Sequence, residues 1–236
     1  MRKYDRVLVK LSGESLMGSK DFGIDMETLK GYASQLKELA DEGVEMGIVI
    51  GGGNIFRGLE GVGKGFDRVK GDQMGMLATV INGMSLQSSL ENMGVKAKVY
   101  TAVKLEPYAE YYVRERAIES LKEGYVNIFT GGTGNPYFTT DSAAALRALE
   151  INADVLLKGT RVDGVFSEDP EKHPDARKYE SITYNEAIEK QLNVMDMTAF
   201  ALCRDNDLPI VVFNVNKPDQ MKKAIHEDHV GTLVHR

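Results

Sequence analysis

The sequence predicts one α/β domain in which helices cover both faces of a mostly parallel sheet. Predicted strands alternate with predicted helices along nearly the whole chain of 236 residues. Several of these strands are continuous apolar runs, which is typical of parallel strands buried on both faces. No linker rich in proline or serine interrupts the pattern, so we expect a single domain.

The first half of the chain carries four predicted strands and three predicted helices. The clearest helix covers residues 26–42, because Leu29 and Leu36 recur at helical spacing between Asp25, which suits an N-cap, and the terminator Gly43. The predicted strands of this half cover residues 6–10, 46–50, 95–100 and 126–129, and its other helices cover residues 73–93 and 107–123.

The second half continues the alternation with an alanine-rich helix. Pro218 stands where it would open a last helix, since proline is favoured in the first helical turn. The predicted helices of this half cover residues 142–151, 184–191 and 196–206, and its strands cover residues 154–158 and 210–213.

Composition excludes several classes of function. The 29 lysines and arginines against 35 aspartates and glutamates give a net charge of −6, which argues against a nucleic-acid binder. The single cysteine excludes a disulfide framework and a multi-cysteine zinc site. The apolar run near the N-terminus is too short for a signal peptide, and no run approaches ~18 apolar residues. We therefore expect a cytoplasmic protein with no membrane partner.

Two common phosphate-binding motifs fail on inspection. The stretch from Gly58 to Lys64 fits the first seven positions of a P-loop, but Gly65 stands where serine or threonine must reach Mg²⁺. Neither the Gly51/Gly53 pair nor the Gly132/Gly134 pair is followed by the third glycine of a dinucleotide fingerprint. NAD binding is therefore not expected.

Two further features have ordinary explanations. His226 and His229 have the spacing of metal ligands on a helix, but no strong third ligand lies nearby, so we interpret them as surface histidines. Cys203 follows Ala199 and Leu202 on a predicted helix, which favours a core thiol over a nucleophile.

Glycine and lysine collect at the carboxyl ends of the predicted strands. Ligands of such sheets bind beyond those ends, and glycines let backbone N–H groups approach phosphate oxygens. Lys10 and Lys158 follow two of the strands, where their ammonium groups are placed to neutralise a phosphoryl group in transfer. The alternative, an ordinary lysine at a strand end, stays open for either residue alone. The four strand ends are residues 10–13, 51–53, 131–134 and 158–160.

The start of the alanine-rich helix points to the same edge. Thr139-Thr140-Asp141-Ser142 precedes the helix, so its free N–H groups and positive dipole end are expected to face the ligand. Thr140 or Asp141 is the expected N-cap.

Six segments together resemble the bacterial uridylate (UMP) kinases of the amino acid kinase superfamily. The K-L-S-G and glycine-triplet segments are typical of the superfamily, whereas G-D-Q-M-G-M and T-G-N-P-Y-F-T-T-D are more specific to the UMP enzymes. The match runs from about residue 7 to residue 233. Its segments are residues 10–14, 51–57, 71–79, 133–141, 158–166 and 194–196.

The resemblance implies a three-layer α/β/α sandwich and the reaction ATP + UMP → ADP + UDP with Mg²⁺. It implies a single domain of two lobes, with the phosphoryl-acceptor side at about residues 1–150 and the ATP side at about residues 151–236. It also implies a homohexamer that takes part in pyrimidine nucleotide biosynthesis.

The resemblance also assigns residues to roles. Together with the chemistry of phosphoryl transfer, it indicates Lys10, Arg57, Asp141 and Lys158 as catalytic residues, and Asp141 and Asp196 are expected to orient the lysines and the metal. Its ATP-binding residues are Lys10, Leu11, Ser12, Gly13, Gly53, Arg57, Thr160, Phe166 and Asp169. Its UMP-binding residues are Gly52, Asp72, which reaches the ribose, Thr133, Gly134, Asn135, Pro136, Tyr137, Phe138, Thr139 and Thr140.

The chemistry of this reaction agrees with the residues present. The phosphate of UMP has a second pKa of ~6, so it is mostly dianionic at neutral pH and needs no general base. No dedicated set of Mg²⁺ ligands stands out, and the metal is expected to be held mainly by the nucleotide. The sequence leaves open whether Asp196 or Asp141 adds a direct bond.

Regulation is only partly indicated. UTP is expected to inhibit by occupying the UMP site. Gly18, Ser19, Lys20, Asp21, Phe22 and Gly23 match a segment linked to GTP activation in the family. Residues 85–94, where GTP-responsive members carry basic side chains, contain none here, so activation by GTP stays open.

Two other functions remain as alternatives. Another kinase of the superfamily, acting on carbamate, aspartate or an acylated amino acid, would phosphorylate a small carboxylate and have no use for Asp72. A non-catalytic nucleotide sensor would keep the glycines without requiring both lysines, so the presence of Lys10 and Lys158 favours catalysis.

Overall fold

The structure is a computed structural model that describes residues 2–56, 67–227 and 229–236. Within these residues, nine strands form one sheet and seven α-helices pack against it. The strands are β1 (Arg6–Leu11), β2 (Glu45–Ile50), β3 (Ala97–Thr101), β4 (Glu110–Tyr111), β5 (Val126–Thr130), β6 (Val155–Thr160), β7 (Ser181–Thr183), β8 (Ile210–Asn214) and β9 (Thr232–His235). The helices are α1 (Met26–Asp41), α2 (Arg68–Asn92), α3 (Arg114–Lys122), α4 (Thr140–Glu150), α5 (Tyr184–Glu189), α6 (Met197–Asp205) and α7 (Gln220–His226).

The sheet is mostly parallel, as predicted. Its strand order is β4-β3-β5-β2-β1-β6-β8-β9-β7, and β9 pairs antiparallel with β8. β1 lies between β2 and β6 and is parallel to both. The register places Lys10 directly opposite Lys158 at the carboxyl ends of β1 and β6. The glycine-rich segments that follow β1, β2, β5 and β6 therefore meet at one edge of the sheet.

Both faces of the sheet are covered, which confirms the three-layer α/β/α arrangement. Side chains alternate along a strand, so Val7 and Val9 of β1 pack on one face and Leu8 packs on the other. The first face is covered by α1, α2 and α7, and the second by α3, α4, α5 and α6. Burying a leucine such as Leu8 completely stabilises the fold by ~1.5–3 kcal/mol, so these two layers are the main stabilising feature.

The helix α2 begins five residues before its predicted start. Asp67 caps it, because its side chain accepts a hydrogen bond of 3.2 Å from the backbone N–H of Lys70. The polar residues of this first turn give no apolar period, which is why the pattern began only at residue 73. The correction matters because Arg68 becomes part of the helix.

The helix predicted at residues 107–123 is shorter than expected. It begins at Arg114. Before it, Tyr108 lies in a turn, and Glu110–Tyr111 pairs as strand β4 at the sheet edge. Tyr112 packs edge-on against Phe129 with the ring centroids 5.5 Å apart. This aromatic packing and the β-propensity of tyrosine outweigh the local helical pattern.

Two smaller differences lie in the second half of the chain. Pro218 does not open the last helix, which starts at Gln220 after Asp219. The edge strands β7 and β9 were not predicted, because three and four residues are too few to show a period. The N-cap Asp25 and the terminator Gly43, with φ of +73°, are as predicted for α1. In the part of the chain that is described, no helix has the length and apolar character needed to cross a bilayer.

Candidate active site

The two predicted lysines meet at one carboxylate. The ammonium of Lys10 lies 2.9 Å from Oδ1 of Asp141, and the ammonium of Lys158 lies 2.6 Å from Oδ2. Lys158 also donates a hydrogen bond of 2.6 Å to the carbonyl of Val194. The three charged side chains are at most 16% exposed. A nearly buried cluster with two positive charges and one negative charge therefore lies at the central strand ends.

The charges and burial of this cluster shift the pKa values of Asp141 and Lys158. Burial alone would raise the pKa of Asp141, but the charges of Lys10 and Lys158 outweigh it and hold that pKa below its usual value. Burial lowers the pKa of Lys158, and the Asp141 carboxylate opposes this shift. The net positive charge suits a phosphoryl group, and Asp141 sets the positions of both ammonium groups.

The glycine triplet after β2 packs so closely that side chains are excluded. A Cβ on Gly13 would lie 2.5 Å from the carbonyl oxygen of Gly51, and one on Gly52 would lie 2.7 Å from the carbonyl oxygen of Gly75 in α2. The loop therefore presents its backbone directly at the strand ends, between β1 and α2. This close approach is the local reason for the glycines that the sequence places here.

A cleft of about 400 Å³ lies beyond the strand ends, and its lining includes Thr140, the residue before Asp141. Six of the predicted UMP-binding residues line it, namely Gly52, Asp72, Thr133, Phe138, Thr139 and Thr140, together with Gly53 from the ATP set. The other four, Gly134, Asn135, Pro136 and Tyr137, belong to the same loop but are not among its lining residues. The sequence analysis assigned no individual binding role to the other lining residues, which are Glu14, Phe56, Arg68, Gly71, Gly75, Met76, Thr79 and Gly132.

Asp72 joins α2 to the loop that follows β5. Its Oδ2 atom accepts a hydrogen bond of 2.8 Å from Nε of Arg68 and another of 2.8 Å from the backbone N–H of Tyr137. Tyr137 has φ of +72°, a conformation that residues other than glycine rarely adopt. The carboxylate therefore holds an unusual turn at the cleft wall.

A second cavity of about 380 Å³ lies beyond the end of β6. Thr160, Phe166 and Asp169, the three residues predicted for the nucleoside end of ATP, all line it. Sequence reasoning missed the other wall, which runs from Lys190 to Val194. Lys158 connects this cavity with the cleft, because it donates to Val194 on one side and to Asp141, directly after Thr140, on the other.

The start of α4 differs in detail from the prediction. The N-cap is Thr139, and neither Thr140 nor Asp141 has that role, because the Thr139 hydroxyl accepts hydrogen bonds from the N–H groups of Asp141 and Ser142. The Asp141 side chain is thereby left to contact the lysines. The Thr139 and Ser142 hydroxyls also donate to Asp196, which caps α6. The two helix N-termini are thus fixed together.

The described residues contain no cluster of histidine, cysteine, aspartate and glutamate that would hold a metal ion. Two ammonium groups flank Asp141 and would repel a dication there, while Asp196 accepts hydrogen bonds from Thr139, Ser142 and Ala199. These carboxylates do not fit a metal site built by the protein alone.

The remaining predicted residues are placed as follows. Leu11 is buried at the end of β1, and Ser12 and Gly13 begin the 3₁₀ turn beyond it. Residues 18–23 form an exposed segment, in which Gly23 hydrogen-bonds the backbone of Asn54. Arg57 and the P-loop-like stretch from Gly58 lie outside the described residues.

The two features given ordinary explanations are also located. Cys203 is fully buried, and burial raises the pKa of its thiol to about 12, which confirms a core residue. His226 pairs with Glu42 on the surface, and His229 lies near Glu180.

Comparison with known proteins places this geometry in a family. The profile of the amino acid kinase family matches residues 5–214. The uridylate kinases of Bacteroides thetaiotaomicron and Parabacteroides distasonis are each 58% identical over 235 residues and are matched over their whole length. The crystal structure of UMP kinase from Bacillus anthracis superposes with a TM-score of 0.95 at 40% identity, covering 98% of this chain and 96% of that one. The chain therefore belongs to the amino acid kinase family and, within it, to the uridylate kinases.

Proposed function

We propose that this chain transfers the γ-phosphoryl group of ATP to UMP and releases ADP and UDP. One observation carries the proposal: Lys10 and Lys158 contact Asp141 between a cleft that contains Asp72 and a cavity that contains Phe166. Two anionic substrates that approach from opposite sides would meet at the paired ammonium groups. The names of relatives that are 58% identical support the choice of UMP as acceptor.

The proposed mechanism relies on charge neutralisation and alignment. The phosphate of UMP is already mostly dianionic because its second pKa is ~6, so its oxygen attacks without a general base. The obstacle is the repulsion between two polyanions. Lys10 and Lys158 lower it, and Asp141 keeps the two ammonium groups in place.

We assign the acceptor to the cleft and the donor to the cavity. The acceptor side comprises roughly residues 1–150 and the donor side residues 151–236, as two lobes of one sheet. Asp72 contacts the ribose of UMP, and Thr139 and Thr140 lie beside its phosphate. Phe166 contacts the nucleoside end of ATP. The role of Arg57 on the ATP phosphates stays part of this assignment.

Mg²⁺ is proposed to arrive with ATP. Held by the nucleotide, the metal would supply further charge neutralisation during the transfer. The lysine pair repels a free dication and attracts the anionic complex of nucleotide and metal. This selectivity follows from the net positive charge of Lys10, Lys158 and Asp141.

We further propose that the chain assembles through α2, in the homohexamer that the family resemblance implies. Met74, Leu77, Ile81 and Met84 recur at spacings of three and four residues, and each is between 38% and 50% exposed. An apolar stripe of this kind on a described helix marks an interface between proteins. A second copy of the same helix would bury it symmetrically.

A coupled assay of ADP release tests the proposed function. The panel contains UMP, CMP, carbamate, aspartate and glutamate as acceptors, with Mg²⁺ and ATP throughout. We expect turnover with UMP and none with the carboxylates. Activity confined to a carboxylate would establish another kinase of the same fold, and nucleotide binding without any turnover would establish a sensor.

The same assay tests regulation by UTP and by GTP. UTP is expected to raise the KM for UMP without changing the maximal rate, because it competes for the acceptor cleft. Addition of GTP shows whether residues 18–23 mediate activation, since an unchanged rate would mean that GTP does not activate this protein. Because both substrates are metabolites of the cytoplasm, we place the enzyme there.

A further inference from the structure

Arg68 lies in the first turn of α2, where it faces the acceptor cleft. Its Nε atom donates a hydrogen bond of 2.8 Å to Oδ2 of Asp72, one helical turn later. Its guanidinium carbon lies 5.5 Å from the centre of the Tyr137 ring. One side chain therefore contacts the two residues that join α2 to the loop after β5.

An ordinary surface ion pair would have little consequence. Pairs of this spacing on exposed helices contribute little to stability because water screens them. The Asp72 side chain, however, is only 14% exposed and lies in the wall of the cleft. A planar guanidinium on a partly buried carboxylate restricts its rotation more strongly than an ammonium does.

The two oxygen atoms of the Asp72 carboxylate differ in their hydrogen bonds. Arg68 and the N–H of Tyr137 both donate to Oδ2 of Asp72. Among the described residues, no hydrogen bond to Oδ1 accompanies them. With Oδ2 engaged twice, Oδ1 is left as the oxygen that can accept a hydrogen bond from a hydroxyl group.

We propose that Arg68 is a positioning residue that holds Asp72 for the ribose hydroxyls of the acceptor, and thereby sets the preference for ribonucleotides over 2′-deoxyribonucleotides. This inference rests on the proposed function, since it takes UMP as the acceptor. It adds a residue outside the UMP-binding set expected from the sequence. Arg68 acts through Asp72 and takes no part in the transfer itself.

The experiment compares UMP with dUMP as acceptors for the wild-type protein and for Arg68→Gln. We expect the KM for UMP to rise by about tenfold, the size of effect that loss of one charge-assisted hydrogen bond produces. The ratio of kcat/KM for UMP over dUMP should fall by at least about threefold. The variant weakens the contact of Asp72 with the 2′-hydroxyl of UMP, whereas dUMP has no 2′-hydroxyl and loses no such contact. The KM for ATP and the kcat with UMP should change by less than about twofold.

Two further variants sharpen the result. Arg68→Lys keeps the charge without the planar fork and should give an intermediate UMP/dUMP ratio. Lys70→Gln removes a positive charge two residues away on the exposed side of α2 and should leave the ratio unchanged.

The outcomes separate the inference from the function on which it rests. If the wild-type protein phosphorylates UMP but Arg68→Gln keeps the wild-type UMP/dUMP ratio, the positioning role is overturned. If the wild-type protein does not phosphorylate UMP, the proposed function fails first. Should Arg68→Gln not fold, Arg68→Met keeps the aliphatic stem and its ratio decides in the same way.

Discussion

The side-chain amides of Asn54 and Asn82 exchange two hydrogen bonds, of 3.0 and 2.7 Å, in the interior of the protein. Both residues are at most 1% exposed. Asn82 also donates to the carbonyl of Gly51 at 2.7 Å, and Asn54 donates to the carbonyl of Gly23 at 3.0 Å. This amide pair connects α2 with the glycine triplet and with the exposed segment of residues 18–23.

Removing one amide should loosen the glycine triplet. Asn82→Ala leaves the Gly51 carbonyl and Oδ1 of Asn54 buried without their donor, at a cost of about 1–3 kcal/mol for each group. We expect a lower free energy of unfolding in urea and a reduced kcat. Ser88→Ala, on the exposed side of the same helix, is the control and should change neither quantity. An Asn82→Ala protein as stable as the wild type would show that the pair is dispensable.

Lys10→Ala tests the lysine pair. Turnover should fall below detection, because Lys158 alone then balances Asp141 and no net positive charge remains for the phosphoryl group. Binding of UMP, measured by calorimetry, should stay near the wild-type value. Lys37→Ala is a matched control, since Lys37 pairs with Asp41 on the exposed side of α1. Turnover within about tenfold of the wild type, or ~1.4 kcal/mol of barrier, would disprove the role of Lys10.

Gly52→Ala tests the close packing of the triplet on α2. The new Cβ would lie 2.7 Å from the Gly75 carbonyl oxygen and 2.8 Å from Cβ of Ala78, so the loop or the helix must move. We expect weaker binding of UMP and lower stability. Gly31→Ala, in α1, meets no atom within 4 Å and should stabilise the protein by about 0.5–1 kcal/mol. Thermal unfolding should therefore show a lower midpoint for Gly52→Ala and a higher one for Gly31→Ala. Calorimetry should show weaker binding of UMP for Gly52→Ala alone.

The activity should depend on pH at both ends of the range. Burial lowers the pKa of Lys158, so its ammonium loses the proton below the ordinary value of 10.5 and kcat falls as the pH rises through it. Asp141 stays ionised, because the lysines hold its pKa below 3.8, and the acid limb should reflect the phosphate of UMP at ~6. Lys158→Arg should move the alkaline limb upwards, since arginine keeps its proton. If the alkaline limb of Lys158→Arg stays where it is in the wild type, a group other than Lys158 is responsible for it.

The apolar stripe of α2 predicts a change in assembly. Ile81→Glu places a charge in its centre, where burial against another copy would cost several kcal/mol. Light scattering after gel filtration should show a smaller species than the wild type. Glu91→Gln, beyond the stripe near the end of the helix, should leave the mass unchanged. Equal masses for Ile81→Glu and the wild type would exclude α2 as the interface.

The parallel core of the fold was predictable because its signals are local. Strands such as β1 and β6 are apolar runs that end in lysine and glycine, and parallel strands bring such ends to one edge. The register that sets Lys10 opposite Lys158 could not be predicted, because it depends on the packing of both strands. Asp141 was expected to orient the lysines, but its place between the two ammonium groups depends on how its helix packs on the sheet.

The errors have physical causes that sequence patterns do not carry. The stretch from Pro107 to Tyr112 fits a helical period, but Tyr112 packs against Phe129 and Glu110–Tyr111 pairs with β3. Arg68 was missed because Gly71 and the polar residues around it hide the first turn of α2. Its spacing of four residues from Asp72 was the available signal, since residues at that spacing meet on a helix.

The position of β1 has a consequence for how the protein is made. The strand order places β2, β5, β3 and β4 on one side of β1. All four strands end by residue 130, whereas β6, on the other side of β1, begins at Val155. During translation, the acceptor half is therefore complete while the other edge of β1 still lacks its neighbour β6. An uncovered strand edge of this kind can pair with other chains. Once the donor half is synthesised, pairing of β6 with β1 covers this edge and removes a site of aggregation.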